Sequence, residues 1–278
     1  MPVVAAEAKQ TSPAAAVRSN VLLGLLPFVL IVAVYLFASH ERLADNPQDK
    51  LLPSLAQMAD AIDRYALQPD PQSGQYVLAA DTWASLKRIA LGAGSAALAG
   101  LLAGLNMGLI ARAKTLFSPF LVFLSMVPPL AILPILFIAL GVDELSKVAL
   151  IFLGVFPVIA RDIQLTAERI PREQIVKALT LGASSADVIY GLVLPQVLPR
   201  LIDAVRLSLG GAWLFLIAAE AIASTEGLGY RIFLVRRYLS MDVILPYVFW
   251  ITMLGFAADW LLRQFIARRF RWYAAVGA

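Results

Sequence analysis

The side chains that could take part in chemistry are few. The sequence has no cysteine, which excludes disulfides, thiolate metal sites and cysteine nucleophiles. His40 is the only histidine, so neither a histidine-dependent catalytic triad nor a multi-histidine metal site can form within the chain. We therefore predict no metal site, and the remaining candidates are carboxylates and basic groups beside apolar runs.

Two acidic residues are notable because they occur beside or within apolar sequence. Glu220 ends an uncharged run that begins after Arg206. An ionisable group at membrane depth is costly and usually functional, so Glu220 either lines a polar path or is a helix-end carboxylate near Arg231 or water. Asp203 lies three residues from both Arg200 and Arg206, which indicates a local ladder of ion pairs.

The elements that would position these groups are membrane-spanning helices. The chain is 60% hydrophobic and 15% charged, with a mean hydropathy of +0.78, and is thus more apolar than a typical soluble domain. Residues 19–39, 89–111 and 115–142 contain no Asp, Glu, Lys or Arg, and about 20 helical residues cross a hydrocarbon core. We predict an all-α polytopic membrane protein with about six transmembrane helices, the first an uncleaved anchor.

Two further spans are predicted from shorter uncharged runs. These runs lie between Lys147 and Arg161 and between Arg206 and Glu220. Their helices must keep charged residues at membrane depth, which is tolerated when those residues face the bundle interior or reach an interface. We therefore expect these two helices at the centre of the protein and the longer apolar helices outside. The sixth span is predicted over residues 243–262.

Small residues and prolines shape the second and third runs. A small residue recurs every fourth position, forming the glycine stripe: Gly92, Ala96, Gly100, Gly104 and Gly108. This pattern indicates either tight helix packing or a glycine-lined pore. In the third run, Pro128-Pro129 predicts a break, either a gate hinge or a helix cap, whose freed backbone groups must face protein or water.

Residues 41–87 are the long polar interruption of the sequence. Apolar residues recur there at helical spacing: Leu51, Leu55, Met58, Ile62 and Tyr65. The pattern predicts a short amphipathic helix at the membrane surface, beginning at Pro53-Ser54 and ending near Pro69 and Pro71.

Residues 165–195 form the one sizeable loop between predicted spans four and five. Pro171 suits the first turn of a helix, Glu173 its positive end and Gly182 its C-terminal cap. Ser184 with Asp187 three residues later predicts a new helix start. Two short helices joined at a glycine form a stiff protrusion that can dock into a groove of a partner.

This loop resembles the EAA loop of binding-protein-dependent ABC transporter permeases, where Glu-Ala-Ala, three residues, Gly, nine residues and Ile-x-Leu-Pro form the helix that docks on the ATPase. Gly182 and the run Leu192-Val193-Leu194-Pro195 keep the spacing, and Ala178 matches the second alanine. Val176 and Lys177 depart from the motif, and Glu173 is the candidate substitute for the missing glutamate. The resemblance implies ATPase-coupling roles for Glu173, Lys177, Ala178, Gly182, Ala183, Leu192, Leu194 and Pro195.

The resemblance extends over residues 82–266. Residues 126–134 and 219–230 are similar to the nitrate, sulfonate, taurine and bicarbonate branch of that family, and residues 46–60 to permeases found beside urea- or guanidine-degrading carboxylases. Together with the helix break and the acid at membrane depth, this resemblance gives the candidate residues of the translocation path or gate: Met126, Pro128, Pro129, Glu220 and Glu226.

The resemblance implies an ABC type I importer permease-like fold and a permease subunit that imports a small polar solute: nitrate, a sulfonate, bicarbonate or a urea- or guanidine-like compound. The chain has no Gly-x-x-x-x-Gly-Lys-Ser/Thr, so it cannot cradle ATP itself, and we expect neither ATPase activity nor a cofactor in it. The implied partners are two ATPase subunits, a second permease copy in a homodimer, a periplasmic solute-binding protein and membrane lipid.

The predicted location is the bacterial inner membrane, with both termini cytoplasmic because most basic clusters then face the cytoplasm. The domains are a cytoplasmic tail (1–18), the first span (19–40), a periplasmic segment (41–87), a core (88–266) containing the cytoplasmic loop 165–195, and a cytoplasmic tail (267–278). Basic and aromatic residues interleave over 268–273 and predict an interfacial anchor instead of nucleic-acid binding.

Two other function classes remain open at this point. A secondary transporter driven by an ion gradient also uses short, broken helices near the membrane midplane, but it has no need of the 171–195 loop. An intramembrane enzyme would have few groups with which to do chemistry.

Overall fold

The described part of the chain consists of helices and connecting turns. The computed structural model describes residues 13–47, 49–71 and 74–276. Residues 1–12 of the predicted N-terminal tail lie outside the described residues, and the rest of that tail belongs to the first helix. The helices are α1 (Pro13–Asp45), α2 (Leu55–Ile62), α3 (Val77–Leu109), α4 (Ala111–Met126), α5 (Leu133–Leu140), α6 (Glu144–Glu168), α7 (Arg172–Thr180), α8 (Ser185–Asp187), α9 (Leu194–Ile222), α10 (Leu228–Arg236), α11 (Met241–Arg269) and α12 (Arg271–Val276).

Up to six membrane crossings are present. By length and apolar composition, α1, α3, α6, α11 and the helical stretch that ends in α9 can each cross a bilayer. α4 and the segment 129–140, which contains α5, are bent by 84° and count as a sixth crossing if the pair forms one broken span. The predictions of about six spans and of a break near Pro128-Pro129 are thus confirmed.

The glycine stripe of α3 packs against α6. The facing pairs are Gly92–Ile151, Gly100–Ile159, Gly104–Ile163 and Gly108–Ala167. The number of positions that separates the two residues is the same in all four pairs, so α3 and α6 run in the same direction. A Cβ atom added to any of these four glycines would lie 2.5 to 2.7 Å from the facing side chain. The stripe therefore serves tight helix packing, and the alternative of a glycine-lined pore is wrong for this face.

The core of the described bundle contains α3 together with α6 and α9. α6 carries completely buried residues such as Leu150 and Ile159, and α9 carries Ala212 and Leu216, as expected for central helices. The expectation that α3 lies outside is wrong. The most apolar part of α3 is 39% buried, close to the 44% of α6 and above the 22% of the stretch that ends in α9, whereas the figures for α1 and α11 are 6% and 11%. The physical reason is the glycine stripe, which lets α3 approach α6 closely.

α3 also begins earlier than its charge-free run suggests. It starts at Val77, inside the segment 41–87 that we predicted to be extramembranous. The first turns contain the charged residues Asp81 and Arg88, and both are buried. Since their charges are paired inside the bundle, they do not end the span.

The predicted amphipathic helix is present as α2. It begins with a capping box, in which the Gln57 N–H donates to Ser54 Oγ at 3.2 Å and the Ser54 N–H donates to Gln57 Oε1 at 2.7 Å. A π-helical turn, Asp63–Leu67, continues it. There the Tyr65 ring meets the Tyr247 ring of α11 edge-on at 6.1 Å, so α2 is fixed to the bundle.

α1 is tied to the chain segment that follows it. The Tyr35 hydroxyl donates to the Pro53 carbonyl at 2.7 Å, and Arg42 pairs with Asp49. The Leu51 N–H and Arg42 hold the pKa of Asp49 below its usual value, so this carboxylate is ionised at neutral pH. From Leu23 onward, most of the apolar side chains of α1 are otherwise exposed.

Candidate functional site

The first candidate site is the elbow (residues 172–193), which comprises α7, α8 and the π-helical turn before α9. α7 ends at Thr180, and Gly182, two residues further on, has a φ of +90°. The Gly182 N–H donates to the Leu179 carbonyl at 3.0 Å, and the Ala183 N–H donates to the Ala178 carbonyl at 3.1 Å. These two bonds form a Schellman motif, so the predicted C-terminal cap at Gly182 is confirmed. Pro171 precedes the first turn of α7 as its N-cap.

The second half of the elbow begins where the sequence predicts. The Asp187 N–H donates to Ser184 Oγ at 3.2 Å, and the Ser184 N–H donates to Asp187 Oδ2 at 2.9 Å. This reciprocal pair fixes the start of α8. Gln196 Nε2 of α9 donates to Gln174 Oε1 of α7 at 3.2 Å, which ties the elbow to α9.

The predicted coupling residues fall on two faces of the elbow region. Those packed against the core are Ala178, Ala183, Leu192 and Leu194. Those on the exposed face are Glu173, Lys177, Gly182 and Pro195. Two large apolar side chains, Leu181 and Tyr190, are also 79% and 70% exposed. The elbow thus presents exposed apolar side chains beside the charged residues Glu173 and Lys177, on two short helices that are held together. Such a surface is suited to insertion into a groove of a partner.

The second candidate site is the break between α4 and α5. Met126 is the last residue of α4 and is 74% exposed. Pro128 is exposed, and its carbonyl accepts the Ala131 N–H at 3.0 Å. The break therefore combines an 84° bend with an accessible surface in the single subunit.

The third candidate site lies at the end of α9 opposite the elbow. There the Arg88 cluster (Arg88, Glu144, Glu220 and Glu226) joins α3, α6, α9 and the turn before α10. Arg88 Nε and Nη2 donate to the two carboxylate oxygens of Glu144 at 2.7 and 2.6 Å, and Nη1 donates to Glu220 Oε1 at 2.7 Å. Nη1 also donates to the Glu226 carbonyl at 2.9 Å. A guanidinium buried this deeply is tolerated because its donors are paired.

Glu220 is completely buried and fully engaged. Besides Arg88, it accepts the Ser85 hydroxyl at 2.8 Å and the Gly229 N–H at 2.8 Å. Its cationic partner is therefore Arg88, and the alternative of a helix-end carboxylate near Arg231 or water is wrong. In this conformation Glu220 can contact no solute because its own subunit covers it. Glu226, by contrast, has a side chain that is 58% exposed.

Arg231 instead pairs with Asp81 of α3. Arg231 Nε donates to Asp81 Oδ2 at 2.9 Å, and the Tyr247 hydroxyl of α11 donates to the same oxygen at 3.2 Å. The Gly227 N–H donates to Asp81 Oδ1 at 2.9 Å. Asp81 thus also holds the turn between α9 and α10, through the Gly227 N–H and the Arg231 side chain.

Sequence reasoning missed Asp81, Ser85 and Arg88. Their spacing places them on one helical face that continues into Gly92 of the glycine stripe. The signal for them is the helical spacing of the glycine stripe, which continues toward the N-terminus beyond the charge-free run 89–111.

The ion-pair ladder predicted around Asp203 is only half present. Arg206 Nη1 donates to Asp203 Oδ1 at 2.9 Å. Arg200 instead makes a bidentate pair with Asp162 of α6, at 2.7 Å for both bonds. The second partner of Asp203 is the Tyr273 hydroxyl, which donates at 2.8 Å.

Within the described residues, no group of three or more His, Cys, Asp or Glu side chains could hold a metal ion.

Comparison with known proteins supplies independent information. Residues 96–271 match the family described as "Binding-protein-dependent transport system inner membrane component". The chain is 35% identical over 193 residues to the taurine transport system permease protein TauC of Escherichia coli (strain K12), covering 69% of this chain and 70% of that protein. It is 33% identical over 198 residues to the bicarbonate transport system permease protein CmpB of Synechococcus elongatus, covering 69% and 68%.

A solved structure of the MetNI methionine ABC transporter in inward-facing conformations is also similar. Its matching chain aligns with a TM-score of 0.54 and 20% identity, covering 66% of this chain and 93% of that one. At this identity the similarity supports the fold alone.

Proposed function

Because this chain belongs to the family of binding-protein-dependent transport system inner membrane components, we propose that it is the permease subunit through which a separate ATPase drives import of a small polar solute. The elbow carries this proposal. It is braced by the Schellman motif at Gly182 and by the capping box at Ser184, and it presents Leu181 and Tyr190 outward.

The proposed solute is a small polar compound of the sulfonate or bicarbonate type. The names of the similar permeases refer to taurine, aliphatic sulfonates and bicarbonate, and this is the support for the choice. Nitrate and urea- or guanidine-like compounds remain the other candidates from the sequence.

The proposed assembly contains two copies of this chain, two ATPase subunits and a solute-binding protein. We place the elbow on the cytoplasmic side, where ATP is available, so the Arg88 cluster faces the opposite side and both termini are cytoplasmic. The proposed path or gate includes the α4–α5 break at Met126, Pro128 and Pro129, together with Glu226 at the exposed edge of the Arg88 cluster.

The test is uptake of labelled taurine and bicarbonate by cells that express the chain with its ATPase and binding protein. We expect uptake to stop when ATP is depleted while a proton gradient is maintained. Uptake that instead follows the proton gradient would identify a secondary transporter and contradict the proposal. Co-purification of the ATPase with the chain is the matching assembly assay.

A further inference from the structure

Arg88 has two different sets of partners. On the buried side, the Arg88–Glu220 ion pair has side chains that are 1% and 0% exposed. On the outer side, Arg88 contacts Glu144 and Glu226, whose side chains are 52% and 58% exposed. Arg88 could leave Glu220 and keep its outer partners, because those carboxylates already reach water.

The backbone of the α9–α10 turn is held by the same group of side chains. The Leu228 N–H donates to Ser85 Oγ at 2.9 Å, and the Gly229 N–H donates to Glu220 Oε2 at 2.8 Å. Gly227 has a φ of +121°, and a Cβ atom there would lie 2.5 Å from Glu220 Cδ and 2.7 Å from Arg88 Nη1. The turn therefore packs directly against the Arg88–Glu220 pair and is bonded to Ser85 and Glu220.

α9 connects this pair directly to the elbow. It is one helix of 29 residues, or about 43 Å at about 1.5 Å per residue. Its first turn is tied to α7 through Gln196 and Gln174, and Glu220 lies in its last turn. A displacement of the elbow that moves α9 along or about its axis must therefore strain the bonds of Glu220 to α3.

We propose that Arg88 and Glu220 are a positioning pair that holds the far end of α9 and the α9–α10 turn against α3, and that this pair opens and re-forms as α9 moves in the ATP cycle. When the pair opens, Arg88 keeps Glu144 and Glu226. The end of α9 then has two arrangements: in one Arg88 pairs with Glu220 as well, and in the other it pairs only with Glu144 and Glu226. Two arrangements with different buried contacts are what a switching element requires. This inference rests on the proposed coupling of the elbow to an ATPase.

The test uses the permease–ATPase complex in proteoliposomes, with spin labels at Trp83→Cys on α3 and Ile222→Cys at the end of α9. Both side chains are exposed, at 72% and 70%, and the chain has no other cysteine. We expect the label distance to change between the nucleotide-free complex and the complex trapped with ATP and vanadate. An unchanged distance would overturn the proposal.

Glu220→Gln removes the charge but keeps a side chain of the same size. We expect its nucleotide-free complex to show the trapped-state distances and to hydrolyse ATP about tenfold faster than the unmodified complex, which corresponds to about 1.4 kcal/mol in the activation barrier. A merely structural role would lower assembly and leave the label distances of the assembled complex unchanged, and that result would also overturn the proposal.

Two further variants keep the test decisive. Asp259→Asn removes an ion pair of α9 with α11, where Asp259 meets Arg206 Nε at 2.8 Å, and it should leave the label distances unchanged. Gly227→Ala keeps both charges but crowds Glu220, and it replaces Glu220→Gln if that variant does not assemble. If the unmodified complex hydrolyses no ATP, the proposed function itself fails, which is a separate outcome.

Discussion

Gly100 of α3 lies directly against Ile159 of α6, so closely that a Cβ atom on the glycine would be 2.7 Å from Ile159 Cγ2. The same close approach recurs along the glycine stripe. It places Asp81, Ser85 and Arg88, on the same face of α3, within reach of α9 and of the turn that follows it.

Replacement of Gly100 by Ala should destabilise the protein. The added methyl group overpacks the contact, which typically costs about 1–3 kcal/mol, against a gain in helix propensity of at most about 1 kcal/mol. Thermal unfolding of the purified protein in detergent measures the difference. Gly94→Ala is the matched control, because nothing lies within 4 Å of a Cβ atom at that position of the same helix.

A double variant tests the cause of that loss. Ile159→Ala removes the Cγ2 atom that the new methyl group would strike, so Gly100→Ala with Ile159→Ala should be less destabilised than the sum of the two single changes. Strict additivity would mean that another contact limits the packing.

Replacement of Gly182 by Val should abolish uptake and weaken co-purification of the ATPase while membrane insertion stays intact. A Cβ atom at Gly182 meets nothing within 4 Å, so the effect comes from the backbone, because φ of +90° is strained for a β-branched residue. Gly182→Asn should be milder, since Asn tolerates positive φ better.

Gly191→Ala is the control for this prediction. Gly191 lies in the same elbow, with open space around it and without positive φ, so uptake should be retained. Normal uptake and normal ATPase co-purification by the Gly182→Val variant would contradict the role assigned to the elbow.

Replacement of both Pro128 and Pro129 by Ala should straighten the break between α4 and α5. Two alanines restore backbone N–H donors and permit helical φ and ψ through the break. Spin labels at Leu116→Cys and Ile138→Cys, on exposed positions of the two helices, should then report longer and broader distances than in the unmodified protein, together with lower uptake.

Pro119→Ala provides the comparison for the break. Pro119 lies inside α4, where the helix continues past it, so its replacement should leave the label distances unchanged. Equal distances in the double variant and the unmodified protein would show that packing against α6, and not the prolines, sets the bend.

The sequence by itself determined the features that depend on local properties. Apolar length and charge placement indicated about six spans, Pro128-Pro129 indicated the break, and residues 171–187 indicated two short helices joined at Gly182. Each of these follows from the preferences of neighbouring residues, because bilayer thickness, proline geometry and helix caps act over a few turns at most.

Only the tertiary structure decided which charges meet inside the bundle. Arg88 and Glu220 are 132 positions apart, and no local pattern pairs them. Arg231 is far nearer to Glu220 in sequence, yet it contacts Asp81, because the turn at Gly227 directs α10 toward the first turns of α3. The choice of partners depends on how closely α3, α6 and α9 approach one another, and packing of the glycine stripe sets the approach of α3 to α6.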